Sequence, residues 1–241
     1  MLCKIAELIV EIPEAGDLVP RCKVYLCDGT NGADIVIRTE LFRPDAWKGL
    51  TGDSYVYMES GSHFYRDLLK FDGMMLHSSA VELEGKAYLF SGPCGTGKST
   101  HTRLWQQIFG EKAQVFNDDK PALRCLEGKW YAYGTPWCGK DGINQNKKVP
   151  LAGICFLKQA PENKIRRLSQ AEAIPKIVHQ TIRKFKGLEK NILLENVDLM
   201  LSHVGKLVQQ IPVFELENRP EPEAALLSYE TMRKAAEELG L

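Results

Sequence analysis

Gly92-Pro93-Cys94-Gly95-Thr96-Gly97-Lys98-Ser99 is the stretch of this 241-residue chain that decides its fold. It fits the phosphate-loop pattern G-x-x-x-x-G-K-[ST] at every fixed position. In this pattern the glycines let the backbone turn so that successive N–H groups face phosphate oxygens, and the lysine reaches the outer phosphates. The serine hydroxyl ligates Mg²⁺, and the next helix presents its positive N-terminal end. The stretch therefore predicts a nucleoside triphosphate site formed by residues Gly92 to Thr100.

The flanking sequence supports this interpretation. Residues 86–90 have the apolar pattern of a short buried strand, and residues 99–109 have that of a helix. A phosphate loop requires a strand before it and a helix after it, whereas an ordinary glycine-rich turn requires neither. The strand also follows an apolar run at residues 76–83 and the turn Glu84-Gly85, which together predict a β-hairpin.

A second candidate feature is the pair Asp118-Asp119, which ends an apolar strand predicted over residues 113–117. In a phosphate-loop fold, carboxylates in this position lie beside the metal and the terminal phosphate. One carboxylate holds Mg²⁺, and the other accepts a proton from an attacking hydroxyl or orients that hydroxyl. Taken alone, Asn117-Asp118-Asp119-Lys120-Pro121 is also typical of a solvated turn.

The chain divides into a small β-rich N-terminal segment, residues 1–72, and a P-loop nucleotide-binding domain, residues 73–241. Short apolar runs such as Cys22-Lys23-Val24-Tyr25-Leu26, separated by turn residues, predict the β-rich segment. Pro175 lies inside one of the later predicted helices, at 170–185, and a start of that helix at the proline is left open as the alternative. The other predicted elements are a helix at 62–71, a hairpin at 122–126 and 129–133, strands at 151–157 and 212–216, and helices at 170–185, 196–209 and 221–239.

The composition restricts the class of protein. Hydrophobic residues make up 44% and charged residues 26% of the chain, and the formal net charge is zero. These values are typical of a globular protein and give no reason to expect a nucleic acid or a membrane as partner. No stretch has the pattern of a signal peptide or a membrane span, so we expect a cytoplasmic protein. The seven cysteines include no C-x-x-C pair and are expected to be reduced thiols.

The motifs together carry a family resemblance. Leu76-His77-Ser78, the stretch from Gly92 to Ser99, and the run from Val115 to Asp119 resemble the catalytic core of HPr kinase/phosphorylase, and the loop is also similar to that of ATP-dependent phosphoenolpyruvate carboxykinase. The resemblance implies an α/β fold with a mixed sheet and a site for ATP and Mg²⁺. It implies that Asp118 is the base, that Ser99 and Asp119 hold Mg²⁺, and that Lys98 stabilises phosphate charge. His77 matches a histidine near the kinase site, and a structural role for it stays equally open.

The chain also departs from these families. Its first 70 residues do not resemble the N-terminal domain of HPr kinase, and it is too short for a carboxykinase. It is most similar to a compact branch of HPr-kinase-like proteins, which implies transfer of phosphate to a serine or another hydroxyl of a peptide or protein. A nucleotide-binding regulatory module and a small-molecule kinase are the alternatives. Related kinases often assemble into rings, so a homo-oligomer is an open expectation.

A third segment, residues 133–142, is rich in glycine and proline and contains Trp137 and Lys140. We consider two roles for it. It could line the site, with Lys140 or Lys147 supplying positive charge to the transferred phosphate. Alternatively, it is a structured loop that Trp137 anchors in the core.

Overall fold

A computed structural model describes residues 1–29, 32–42, 49–50, 52–181 and 190–241. The chain is a mixed α/β protein with a nine-stranded mixed sheet and a separate three-stranded sheet. The three-stranded sheet contains β1 (Leu2–Ile5), β2 (Leu8–Glu11) and β3 (Ile35–Val36). The strands of the large sheet are β4 (Gly73–Met75), β5 (Ser78–Leu83), β6 (Lys86–Ser91), β7 (Gln114–Asp119), β8 (Ala122–Leu126), β9 (Lys129–Tyr133), β10 (Lys148–Gln159), β11 (Lys164–Arg167) and β12 (Val213–Asn218).

The described helices connect these strands. They are α1 (Leu18–Cys22), α2 (Gly52–Leu68), α3 (Lys98–Phe109), α4 (Gln170–Gln180), α5 (Lys190–Gln210) and α6 (Pro222–Glu238). No helix of the described residues is both long enough and apolar enough to cross a membrane.

The twelve-residue strand β10 organises the large sheet. Its first residues pair antiparallel with β9, while its later residues pair parallel with β6 on one side and β12 on the other. β5 lies antiparallel between β6 and β7, so β6 and β7 run in the same direction as β10 and β12. The carboxyl ends of four parallel strands and the start of β5 therefore meet at one edge of the sheet, where the candidate site lies.

Residues of β6 alternate between the two faces of the sheet. Tyr88 and Phe90 pack in a cluster with Trp105 of α3 and Met232 of α6. Leu89 points to the opposite face, into the cluster that contains residues of α4 and α5. Since helices cover both faces, the strand is apolar at nearly every position, as the sequence indicated.

The N-terminal segment packs on the large sheet through a third apolar cluster. The strands β1 and β2 and the helix α2 contribute to it together with Ala122, Tyr133 and Trp137. Arg124, which is buried, donates hydrogen bonds to the carbonyls of Ala6 and Phe71 and so ties β8 to the N-terminal segment at two points. The domain boundary after residue 72 stays a prediction.

Most predicted elements are confirmed, and two predictions were wrong in detail. Residues 22–25, predicted as part of a strand, are helical. The helix predicted at 62–71 begins at Gly52. Helix α4 begins at Gln170, as predicted, because Ser169 and Glu172 form a reciprocal capping box. Pro175 is accommodated inside the helix, so the alternative start at the proline is not adopted. The predicted end of that helix, beyond residue 181, falls outside the described residues.

Candidate functional site

A glycine-rich loop, residues 92–97, joins β6 to α3 at the edge where the parallel strands end. Gly92 has a φ of 148°, and a Cβ there would lie 2.9 Å from Thr96 Oγ1 and 3.3 Å from the Leu157 carbonyl. Gly97 caps α3 with a φ of 95°. The conformation of the loop therefore requires glycine at both positions, because other residues rarely adopt these dihedral angles and have no room at the first.

The loop leaves several backbone donors without a protein acceptor. Within the described residues, the N–H groups of Cys94, Gly95, Gly97, Ser99 and Thr100 make no hydrogen bond to the chain, whereas Thr96 N donates to Pro93 O. Unpaired donors at the start of a helix attract anions, since the helix dipole adds to their partial positive charge.

Lys98 adds a full positive charge to the same loop. Its Nζ donates to the carbonyl oxygens of Gly92 at 3.0 Å and Pro93 at 3.1 Å. Gln159 at the end of β10 supports the loop from outside, because its Nε2 donates to the Gly95 carbonyl. An anion bound by the loop would be surrounded by N–H groups and by this ammonium.

Asp118 and Asp119 end β7 at the same edge of the sheet. They pair with Ser79 and Ser78 of β5, and Ser78 also pairs with Ser91, the last residue before the loop. Asp118 is only 7% exposed, yet among the described residues no group donates to its carboxylate. A carboxylate that is nearly buried and unpaired is suited to bind a cation or to accept a proton.

Asp119 differs, since both of its oxygens have partners. Its Oδ1 lies 3.1 Å from Nε2 of His77, and its Oδ2 pairs with Nζ of Lys120. Burial raises the pKa of the Asp119 carboxyl, but the hydrogen bond from His77 and the Lys120 ammonium outweigh burial and hold this pKa well below its usual range. Asp119 also has a φ of 113°, a strained conformation of the kind found at functional sites.

The strained turn is fixed by a group of buried polar contacts. Asn117 Oδ1 accepts from the Lys120 backbone N–H, and Asn117 Nδ2 donates to the Thr135 carbonyl. The Thr135 hydroxyl and the Tyr65 hydroxyl both donate to the Lys120 carbonyl. These contacts hold the two aspartates in place, and they are incompatible with a freely solvated turn.

His77 is held by α4 as well as by Asp119. Its Nδ1 lies 2.9 Å from Gln180 Oε1, and its backbone N–H donates to the Gln180 carbonyl. Gln180 is 3% exposed, and its Nε2 lies 3.2 Å from Nδ1 of His179, which supports this orientation of the amide. Both ring nitrogens of His77 therefore face oxygen acceptors. Sequence reasoning missed Gln180, because a glutamine at the end of a distant helix carries no local signal.

The segment at 133–142 is a structured loop anchored by Trp137. The indole is 1% exposed, stacks on Phe64 with ring centroids 4.7 Å apart, and donates to Ser60 Oγ. The loop also touches the aspartate pair, since the Gly139 N–H donates to the Asp118 carbonyl. Lys147 is directed elsewhere, because its Nζ pairs with Glu82 at the far end of β5.

The two arginines near the site in sequence have other partners. Arg103 pairs with Asp141, and Arg124 supports the fold as described above. Arg21 of the N-terminal segment does reach the loop that carries Gly139: it donates to the Cys138 carbonyl at 2.8 Å and to the Tyr57 hydroxyl at 2.9 Å.

Two cavities flank the glycine-rich loop. The α4-side cavity, about 620 Å³, lies between residues 92–96, the end of β10 and α4. The α3-side cavity, about 630 Å³, lies between residues 95–97, the start of α3 and the residues Asn218, Arg219 and Pro220 that follow β12. Gln159 borders both, so the loop and this side chain separate them.

A family model described as "SynChlorMet cassette protein ScmC" matches residues 54–219, more than half of the chain. The chain belongs to the ScmC family. The matched residues include the glycine-rich loop, the aspartate pair and α4, so the ScmC model spans every side chain named at the site except Arg21 and Pro220. No curated protein matches the chain.

Proposed function

We propose that this ScmC-family protein is an ATP-dependent phosphotransferase with the P-loop fold of the HPr kinase and phosphoenolpyruvate carboxykinase type. The observation that carries the proposal is the position of one nearly buried carboxylate, that of Asp118, which is unpaired among the described residues and lies at the sheet edge that also carries the glycine-rich loop with Lys98. Phosphoryl transfer needs these two elements: positive groups around the phosphates and an acceptor for the proton of the attacking hydroxyl.

The two ends of the nucleotide can be assigned to the two sides of the loop. The α4-side cavity borders Gln180, which is hydrogen-bonded to His77 and through it to Asp119. The terminal phosphate would face Asp119 and the cation that it holds, so we assign this phosphate to the same side of the loop. The nucleoside then occupies the α3-side cavity, which is lined by Thr100, Leu104 and the segment from Asn218 to Pro220.

The residues present fit Mg²⁺. Hydroxyl and carboxylate oxygens are its preferred protein ligands, and Ser99 and Asp119 supply them. Asp119 Oδ2 already holds the Lys120 ammonium, which indicates that this oxygen is placed to bind a cation. When bound, Mg²⁺ would neutralise charge on the outer phosphates.

The proposed reaction follows from the side chains. The acceptor hydroxyl oxygen forms a bond to the γ-phosphorus while its proton passes to the Asp118 carboxylate. The bond between the γ-phosphorus and the bridging oxygen breaks, and ADP leaves. Lys98 and the loop N–H groups stabilise the charge on the transferred group, so most of the catalysis consists of positioning and electrostatics. The acceptor is proposed to be a hydroxyl of a peptide or protein.

The experiment that tests the proposal measures Mg²⁺-dependent ATP binding and turnover in the intact protein, in Lys98→Ala and in the control Lys112→Ala. Lys112 is an exposed lysine beyond the far end of α3. We expect binding and turnover to be lost only in Lys98→Ala. Binding that depends on Lys98 without any turnover would instead favour a nucleotide-binding module, and binding that does not depend on Lys98 would refute the proposal.

A further inference from the structure

Two buried polar side chains line the α3-side cavity, to which the proposed function assigns the nucleoside. They are His101 of α3, which is 1% exposed, and Asn218 at the end of β12, which is 7% exposed. Nδ1 of His101 and Oδ1 of Asn218 have no hydrogen-bond partner among the described residues. A buried polar atom without a partner costs free energy, so two such atoms on the lining of one cavity indicate that a ligand supplies the partners.

The hydrogen bonds around His101 show which kind of partner its free nitrogen needs. Ser228 Oγ donates its single hydrogen to the Ala225 carbonyl at 2.9 Å, so it accepts from His101 Nε2 at 3.0 Å. The proton of the imidazole therefore lies on Nε2, and burial keeps the ring neutral by lowering its pKa to about 3. Nδ1 carries no hydrogen and is an acceptor.

Asn218 also offers an acceptor. Its Nδ2 donates to the Arg219 carbonyl at 3.2 Å, which fixes the orientation of the amide and leaves Oδ1 without a donor. The backbone around it is held in place, because the Asn218 carbonyl accepts from the Ala160 N–H at 3.1 Å and the Arg219 N–H donates to Asn163 Oδ1 at 2.9 Å. This acceptor is therefore in position before a ligand binds.

The rest of the lining suits a planar aromatic ring. Leu104, Ala160 and Pro220 contribute apolar surface, and the exposed Arg219 carries a guanidinium that can stack on such a ring. The cavity also borders residues 95–97 of the glycine-rich loop, so a base in it would lie within one nucleotide of the proposed phosphate site.

We propose that His101 and Asn218 select the base of the nucleotide, and that the 6-amino group of adenine donates its two hydrogens to His101 Nδ1 and Asn218 Oδ1. The inference rests on the proposed function and deepens it by naming the residues that determine base specificity. An oxo group at position 6, as in hypoxanthine or guanine, would place an acceptor against two acceptors and leave all of them unpaired. Sites that bind a donor group reject analogues without it for this reason.

The test is competition binding of ATP, ITP, GTP and inorganic triphosphate to the intact protein. ITP carries an oxo group where ATP carries the amino group, and it is otherwise the same nucleotide apart from the ring proton that accompanies the oxo group. We expect ITP and GTP to bind about tenfold or more weakly than ATP. Inorganic triphosphate reports on the glycine-rich loop alone.

Two variants test the residues themselves. Asn218→Leu keeps the size of the side chain but removes the acceptor, so the preference for ATP over ITP should fall to about threefold or less while the affinity for inorganic triphosphate stays unchanged. His101→Phe keeps a ring beside Phe90 and removes the other acceptor, so it gives the same measurement if Asn218→Leu does not fold.

Asn163→Ala is the matched control. It removes a contact that holds the same segment but no acceptor of the lining, so it should change the affinities for ATP and ITP by the same factor. This separates loss of recognition from simple loosening of the cavity wall.

Equal affinities for ATP and ITP in the intact protein would overturn the inference. So would an ATP preference that survives in both Asn218→Leu and His101→Phe. In either case Lys98-dependent binding of ATP would leave the phosphotransferase proposal standing. Failure of the proposed function looks different, because neither ATP nor inorganic triphosphate would then bind in a Lys98-dependent way.

Discussion

Nε2 of His77 lies 3.1 Å from Oδ1 of Asp119. With Lys120 on the second oxygen, Asp119 keeps its negative charge over the whole physiological pH range. Asp118, next to it in the chain, has no such partners in the part of the chain that the structure describes. The two adjacent carboxylates are therefore suited to different tasks: Asp119 can keep a fixed charge for a cation, and Asp118 is open to receive a proton.

Removing His77 is expected to raise the pKa of Asp119. In His77→Ala, the carboxyl loses the hydrogen bond that contributes most to its depressed pKa, so this pKa should move back toward the ordinary value. Carbon-detected NMR titration of the aspartate carboxyl measures it. Because the folded-state pKa of Asp119 is depressed, its carboxylate stabilises the folded protein above pH about 4. This stabilisation is lost as the pH falls further. The free energy of unfolding of the variant should thus depend less on pH below pH about 4, and an unchanged dependence would show that His77 does not hold Asp119.

His101 should make the fold sensitive to mild acid. Its Nε2 donates to Ser228 Oγ at 3.0 Å, its Nδ1 is buried without a partner, and burial lowers its pKa to about 3. The unfolded chain takes up this proton first, near pH about 6.5, so stability should fall as the pH drops from there toward 3. Titration of this one histidine can lower the free energy of unfolding by at most about 1.4 kcal/mol per pH unit.

His101→Gln keeps an amide donor for Ser228 but does not titrate. Denaturant unfolding between pH 6.5 and 4 should therefore show a smaller slope for this variant than for the intact protein. His179→Gln, at an exposed position on α4, is the control and should leave the slope unchanged. Equal slopes for His101→Gln and the intact protein would mean that His101 is not held neutral.

Gly92→Ala should damage the loop. A methyl group at this φ of 148° would meet Thr96 Oγ1 and the Leu157 carbonyl, so a cost of about 1–3 kcal/mol is expected together with loss of ATP binding. Gly205→Ala in α5 has open space and no strained φ, and should stabilise the protein by about 0.5–1 kcal/mol. Thermal unfolding and titration with a fluorescent ATP analogue measure both effects. An alanine at 92 that binds ATP normally would contradict the described loop.

Trp137→Ala should be strongly destabilising. It removes a fully buried indole, its stacking on Phe64 and its hydrogen bond to Ser60, for an expected loss of about 3–5 kcal/mol in the free energy of unfolding. Trp137→Phe should cost less, because an aromatic ring remains to stack on Phe64, although the hydrogen bond and part of the buried volume are lost. Chemical denaturation of both variants gives the two values, and similar losses would mean that stacking is not the main contribution.

Local sequence patterns predicted the central part of the fold well. The hairpin of β5 and β6 has a turn of Glu84 and Gly85, both with positive φ, and this turn chemistry is visible in the sequence. The run at 151–157 is apolar throughout because β10 lies between β6 and β12 under helices on both faces. The loop and the aspartate pair were also recognisable, because their spacing and strand context are local.

Features that depend on distant contacts were not predictable. The sequence of residues 22–25 has a pattern typical of a strand. In the structure these residues are helical, and Cys22 and Tyr25 are buried because they lie on the same face of the turn. The contact of Gln180 with His77 joins residues more than a hundred positions apart, and the contact of Arg21 with Cys138 does the same. Local pattern carries no information about which distant side chain completes a site.

The most direct test of the central claim is transfer of labelled γ-phosphate from Mg·ATP to a library of serine peptides by Asp118→Asn. The variant alters a carboxylate that makes no hydrogen bond or ion pair within the described residues, and asparagine keeps its size, so folding and ATP affinity should be unchanged, while the transfer rate falls about 10²–10⁴-fold. Asp141→Asn is the control and should retain transfer. Asp141 is an exposed aspartate on the neighbouring loop, where it pairs with Arg103 of α3. Transfer by Asp118→Asn at the rate of the intact protein would contradict the assignment of Asp118 as the proton acceptor and with it the proposed mechanism.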